Sequence, residues 1–295
     1  MVSPMQPVSF AAARRQLARR AAKFAQYSDV FQHVSGRMLE RLELLAAAPE
    51  RVLDLGCRNG YQMSALQALF PNADIFGLDF NPNRTHLMKP RLSWIRRKPE
   101  NLKPIACNPE QLPFDDGAFD LVVSNLLLPW CQDPARIFSE VARVLRVDGA
   151  FLFTTAGPDT LVEYAQAWSG LDGNEHRFGL EDMHQIGDAL LRAGFAAPVL
   201  DRENIMVDYP SIDALQSELQ HLGAGNIAIG RRSGLMSPDV RTKLAESVST
   251  SRFNVTLELV QGHGWKGELR HSGKNTREEV SVSLESLRRS LRSGQ

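Results

Sequence analysis

Cysteine is scarce in this chain: Cys57, Cys107 and Cys131 are the only three in 295 residues. They are scattered and form no Cys-x-x-Cys pair, which argues against both a disulfide framework and a zinc site. They read as small buried thiols in a reducing compartment. No metal ligand set is expected. An excess of charge is also lacking, since 34 Lys and Arg face 34 Asp and Glu. A global electrostatic bias toward nucleic acid or a membrane surface is therefore not expected. No apolar run approaches the ~18 residues of a membrane-spanning helix, and no internal repeat stands out. What is present is a 43% hydrophobic content, enough for a real core. The length suits one large domain, or one domain with an insertion.

The charge balances only on average. Residues 1–28 carry Arg14, Arg15, Arg19, Arg20 and Lys23, and the first acid is Asp29. Two readings are open: a mitochondrial transit peptide, or a lid or partner-docking helix of the mature protein. The second is preferred, because removing the segment would leave few residues before the first strand. A cytoplasmic, bacterial location goes with it, and the mitochondrial matrix with the first. Arg84, Lys89, Arg91, Arg96, Arg97 and Lys98 make a second basic region, read as solvated surface or as a patch for an acidic partner.

The chain is organised around Arg51 to Gln62. Val52, Leu53 and Leu55 make a buried strand that ends at Gly56, and the chain turns through Gly60 into a helix from Tyr61 to Phe70. Ala73 to Leu78 is a second strand and ends on Asp79. Strand, glycine turn and helix make the front half of a nucleotide-binding βαβ unit. An acid at the end of the second strand can accept both hydroxyls of a ribose, and the helix N-terminus offers free backbone N–H groups.

Upstream, residues 8–26 and Val30 to Leu45 read as helices, the latter with Phe31, Val34, Met38, Leu42 and Leu45 at helical spacing. Downstream, Asn81 and Pro82 can start a helix. Pro104 to Cys107, Phe119 to Ser124 and Ala150 to Thr155 read as strands, Pro134 to Leu145 as a helix and Asp148-Gly149 as a turn. Five strands alternating with helices argue for a doubly wound α/β sheet, with the ligand crevice at the strands' carboxyl ends. Helices follow at Asp159 to Trp168, Leu180 to Ala193, Ser211 to Leu222 and Ser237 to Ser249. Strands at Leu200 to Tyr209 and Phe253 to Val260 pair as an antiparallel edge, with residues 210–252 inserted between them. A last edge strand is allowed at Val280 to Leu284.

Asp54-x-Gly56-x-x-x-Gly60 resembles the first motif of class I S-adenosylmethionine (SAM)-dependent methyltransferases, with Arg58 at the place of the middle glycine. Either its side chain points away and the loop survives, or cofactor binding is weakened. Glu110 to Phe114, Phe119 to Leu126, Trp130, Gly157 to Leu161 and Gln261 to Lys266 are similar to one subgroup, which contains the malonyl-acyl-carrier-protein O-methyltransferases of biotin synthesis. Its relatives include the methyltransferase-like assembly factor of respiratory complex I. The resemblance implies a Rossmann-like seven-stranded sheet with an antiparallel last strand and a helical insertion before it. It implies SAM as cofactor, with Asp54, Gly56 and Gly60 lining its methionine end, Asp79 binding the ribose, and Asn108, Pro109 and Glu110 meeting the adenine. Cys57, Phe80 and Asn125 are counted with them. The family's Asp is Asn108 here, which can still accept a hydrogen bond through its carbonyl oxygen.

The organisation expected is an N-terminal helical lid or docking segment (1–48), a SAM-binding domain (49–200), a sheet edge with a substrate-covering insertion (201–268) and a polar tail (269–295). Methyl transfer to a carboxylate needs no general base, because such a group is ionised at neutral pH. Positioning and exclusion of water are what the protein must supply, and no catalytic residue is named. Arg231 and Arg232 are candidates for holding the acyl carboxylate, against the alternative of two solvated arginines. Trp130 and Trp265 can wall the pocket or simply pack, and Tyr164 can face pocket or core. His263 reads as structural. The expected partner is an acidic acyl carrier protein docked on a basic face, with no nucleic acid, no membrane and a monomeric chain. Two alternatives stand: a degenerate methyltransferase fold acting as a binding or assembly factor, and a methyltransferase for another small acid or quinone-type substrate.

Overall fold

The computed structural model describes residues 15, 18–19, 21–42, 48–81, 102–171, 174, 176, 179–224, 238–248 and 252–267. The described residues form seven strands: β1 (Arg51–Leu55), β2 (Asp74–Asp79), β3 (Leu102–Ala106), β4 (Phe119–Asn125), β5 (Leu145–Ala156), β6 (Phe195–Tyr209) and β7 (Phe253–Lys266). They make one sheet in the order β3-β2-β1-β4-β5-β7-β6. The strands from β3 to β5 pair in parallel, and β7 runs antiparallel to both β5 and β6. This is the expected doubly wound α/β architecture with an antiparallel last strand.

The apolar runs explain the centre of the sheet. Leu53 in β1 sits in register between Phe76 of β2 and Val122 of β4. Val52, Leu53, Leu55, Val122 and Val123 are all fully buried, because helices cover both faces. Strand order reverses between β1 and β4, so the crevice lies beyond Leu55 and Asn125.

Helices α1 (Asp29–Leu42), α2 (Tyr61–Leu69), α3 (Pro134–Val144), α4 (Val162–Trp168), α5 (Met183–Arg192), α6 (Ile212–Leu222) and α7 (Pro238–Ser247) complete the described fold. Their starts follow local chemistry. Asp133 caps α3 by accepting from the Arg136 N–H, with Pro134 at the first turn. Asp182 and Gln185 form a reciprocal capping box on α5. Ser211 caps α6, and Gly223 in the left-handed region closes it. Around α6, α7 and the start of β7, the side chains of Trp168, Tyr209, Ile212, Leu215, Leu244, Phe253 and Val255 form a separate apolar cluster.

Three local expectations are corrected. The turn at Asp148-Gly149 lies inside β5, where pairing with β4 shifts register and Asp148 takes φ 60°; a Cβ on Gly149 would stand 2.9 Å from the Arg146 carbonyl oxygen. The helix expected from Asp159 begins only at Val162, because the preceding backbone is bonded to β7. The Asp159 N–H donates to Glu258 Oε2 at 2.6 Å, and the Leu161 N–H to the Thr256 carbonyl. The described end of the first expected helix, Ala21–Tyr27, is a 3-10 turn. Arg14 and Arg20, the 84–98 basic region, the helix expected after Asn81, and the polar tail with its strand lie outside the described residues.

Candidate functional site: a cradle at the ends of β1, β2 and β4

The cradle begins with the glycine turn after β1. Gly56 takes φ 87°, and a Cβ there would stand 3.1 Å from the Leu127 side chain. The Gly56 and Cys57 N–H groups both donate to the Leu78 carbonyl, which ties the turn to β2. Gly60, at φ 79°, starts α2 without a side-chain cap. Between them Arg58 takes φ 52°, a left-handed conformation that costs a non-glycine residue about 1–2 kcal/mol.

The turn presents two acids. Asp79 is buried, and its carboxylate accepts from the Arg58 N–H at 3.1 Å and the Asn81 N–H at 2.8 Å. Both oxygens keep lone-pair capacity for a further donor. Asp54 is buried at the end of β1; its Oδ1 accepts from Gln62 Nε2 at 2.9 Å, while its Oδ2 has no hydrogen-bond partner. Burial, reinforced by the neighbouring charge of Asp79, pushes the Asp54 carboxyl up to about 8, against opposing pulls from Arg58 and the Gln62 hydrogen bond. An unsatisfied buried acceptor of this kind is costly unless a ligand completes it.

Arg58 does not point away. Its side chain is buried, and Nη2 donates to the Leu126 carbonyl at 2.6 Å. The guanidinium lies 4.1 Å from the Phe31 ring centroid, 4.7 Å from Trp130 and 5.5 Å from Phe24. A desolvated cation–π contact is worth roughly 2 kcal/mol, and a hydrogen bond to a charged group about 1.5–3 kcal/mol. These contacts offset the cost of burying the guanidinium and hold the side chain where it is. The loop therefore survives its arginine, but with the side chain turned inward.

The N-terminal elements close the cradle from above. Asn125 donates to the Phe31 carbonyl at 2.9 Å and accepts from the Thr154 hydroxyl at 2.8 Å, which fixes the start of α1 over the end of β4. Ser35 on α1 donates to Gln62 Oε1 at 2.9 Å, completing a chain from Ser35 through Gln62 to Asp54. Tyr27 stacks on His221 of α6, and Trp130 Nε1 donates to the Gly223 carbonyl. A half-open cavity of about 30 Å³ remains there, bordered by Phe24, Phe31, Asp54, Arg58, Tyr61 and Gln62, among others.

The remaining sequence candidates divide. Asn108 Oδ1 accepts the Glu110 N–H within its own loop. Glu110 accepts the Gln132 and Asp133 N–H groups, tying that loop to the exit of β4. Pro109 and Phe80 are buried, and Cys57 borders the cavity. Tyr164 packs against the cluster around α6, where its hydroxyl accepts from Gln216. His263 and Trp265 sit edge to face on β7, in the region where β7 pairs with the start of β6. Arg231 and Arg232 lie outside the described residues. Phe24, Phe31, Ser35 and Gln62 were not anticipated; the available signal was a serine, Ser35, within the apolar stripe of α1. The described residues contain no cluster able to hold a metal and no helix long and apolar enough to cross a membrane. All three cysteines are free thiols.

The donors and acceptors present fit a nucleoside cofactor with a cationic tail. Asp79 keeps acceptor capacity for further donors such as hydroxyls, the glycine turn leaves backbone uncovered, and Asp54 Oδ2 is without a hydrogen-bond partner. Such a cradle at the switch point of this sheet defines a SAM-dependent methyltransferase. The family described as "Methyltransferase domain" matches residues 53–153. A phosphoethanolamine N-methyltransferase 2 of Haemonchus contortus, solved in complex with S-adenosyl-L-methionine, superposes with a TM-score of 0.56 at 18% identity, over 88% of this chain and 60% of that one. Malonyl-[acyl-carrier protein] O-methyltransferases are similar along most of the sequence. That of Laribacter hongkongensis is 38% identical over 261 residues, 86% of this chain and 88% of that protein. That of Gallionella capsiferriformans is also 38% identical over 261 residues, covering 86% and 90%. The chain belongs to the malonyl-[acyl-carrier protein] O-methyltransferase family.

Proposed function

We propose that this methyltransferase esterifies the free carboxylate of a malonyl group carried as a thioester on an acyl carrier protein. The observation that carries the reading is the 38% identity to relatives of that name over nearly their whole length. When bound, SAM supplies the activated methyl group. Asp79 takes the ribose hydroxyls, and Asp54 takes the cationic end of the cofactor. Gln62, backed by Ser35, holds Asp54 in orientation.

The acceptor carboxylate has a pKa of roughly 4 and is ionised at neutral pH. No side chain has to remove a proton from it. The cradle supplies alignment and excludes water, which would otherwise solvate the nucleophile. The α6 region stands beside the cradle through Trp130 and Gly223 and through Tyr27 and His221. It is our candidate for covering the acyl chain, with Arg231 and Arg232 as the groups that meet its carboxylate. Arg15 and Arg19, both exposed, belong to the basic face offered to the acidic carrier.

The test is incubation with SAM and malonyl-loaded carrier protein, followed by mass spectrometry of the carrier. Appearance of the methyl ester supports the reading. An unmodified carrier beside methylation of a free small acid would move the assignment to the alternative substrate class.

A further inference from the structure

The three rings around Arg58 do more than pack. Phe24, Phe31 and Trp130 turn π faces toward one point, the Leu126 carbonyl adds an acceptor there, and the Asp54 carboxyl is close enough to feel the charge. Aromatic faces with a carbonyl and a carboxylate are the chemistry that binds an organic cation. This subsite borders the cofactor cavity, and the chain's own guanidinium fills it. The elements that build it are the segment from Ala21 to Phe31, the turn after β1 and the exit of β4. They come together only in the folded chain.

SAM carries two cations, an ammonium and a sulfonium. With the guanidinium in place the space left beside Asp54, Gln62 and Asn125 is about 30 Å³, room for water. We propose that Arg58 is the residue that sets cofactor affinity in this chain: its guanidinium holds the cation subsite of the free protein, and SAM binds by displacing it. The inference rests on the cradle being the SAM site. It implies that affinity is lowered by competition within the chain, and that removing the side chain raises it. Glycine at this position also relieves the left-handed backbone, and asparagine tolerates it without a charge.

The experiment is calorimetric titration of the full chain, Arg58→Gly and Arg58→Asn with SAM, beside tryptophan fluorescence of the full chain and of Trp130→Phe. The expected result is at least tenfold tighter binding by both Arg58 variants. In the unaltered chain SAM should change the emission as the guanidinium leaves the Trp130 ring, and that change should be missing in Trp130→Phe. Equal affinity of the unaltered chain and both variants would overturn the displacement while leaving the cofactor site standing. Absence of binding in all three would remove the cofactor site from this cradle, and the proposal with it. Should one variant fail to fold, the other carries the comparison.

Discussion

Gln62 Nε2 donates a 2.9 Å hydrogen bond to Asp54 Oδ1, joining the first turn of α2 to the end of β1 beneath the cradle. Ser35 donates to the other end of the same amide. One buried glutamine thus orients the acid and receives the N-terminal helix that roofs it.

Gln62→Ala would leave both neighbours unpaired. Loss of a partner for buried polar groups costs about 1–3 kcal/mol. The variant should melt several degrees lower and bind SAM roughly tenfold more weakly, by thermal unfolding and calorimetry. A variant that binds as tightly as the unaltered chain would show that Asp54 does not need this orientation.

Asp54 gives the site a pH dependence with a definite sign. Its folded carboxyl titrates at about 8, above the ordinary 3.8, chiefly because it is buried. The folded chain therefore holds an extra proton between these values, and this group lowers stability as pH rises through that window, levelling off above about 8. A bound cation favours the ionised form, so SAM affinity should rise from pH 6 toward pH 8. Binding near pH 7 should release a proton, visible as an enthalpy that depends on the buffer. Asp54→Asn should abolish the proton release and weaken binding. Unchanged release would place the titrating group elsewhere.

Gly56 tests the close approach of backbone to the cradle. An alanine there would hold φ 87° against its preference and press its Cβ toward Leu127. The strain is about 1–2 kcal/mol. Gly56→Ala should fold with a modestly reduced melting temperature and lose most SAM affinity. A variant with full affinity would show that the turn can shift without cost to the site.

Glu258 is a structural anchor between β7 and the segment that leaves β5. It is buried on β7, accepts the Asp159 N–H at 2.6 Å and the half-exposed Arg202 at 3.0 Å. A Cβ on Gly157 would strike its carboxyl carbon at 2.4 Å. Glu258→Ala should cost about 2–3 kcal/mol, mostly from the stranded N–H, and lower the melting temperature by roughly 5–10 °C. Arg202→Ala should cost less, about 1–2 kcal/mol, because water can reach the half-exposed Arg202 position and partly replace its hydrogen bond to Glu258. Similar losses from both would mean that the ion pair, not the backbone anchor, carries the stability.

The sequence by itself determined the sheet. Apolar runs such as Val52 to Leu55 and Phe119 to Val123 can be buried only between two helical layers, and the alternation of strands with helices left little choice of topology. It also marked Asp54, Gly56, Gly60 and Asp79, since acids and glycines at strand ends are local chemistry. Element boundaries were less legible where long-range bonds overrode local signals. Asp148-Gly149 reads as a turn but is absorbed as an irregularity in β5, and Asp159 reads as a helix start but is bonded to Glu258, 99 residues away. Only the tertiary structure decided the direction of Arg58. Its rings come from positions 24, 31 and 130, and its acceptor from position 126. No local pattern encodes that convergence: a cation's partners are set by which distant surfaces the sheet brings together.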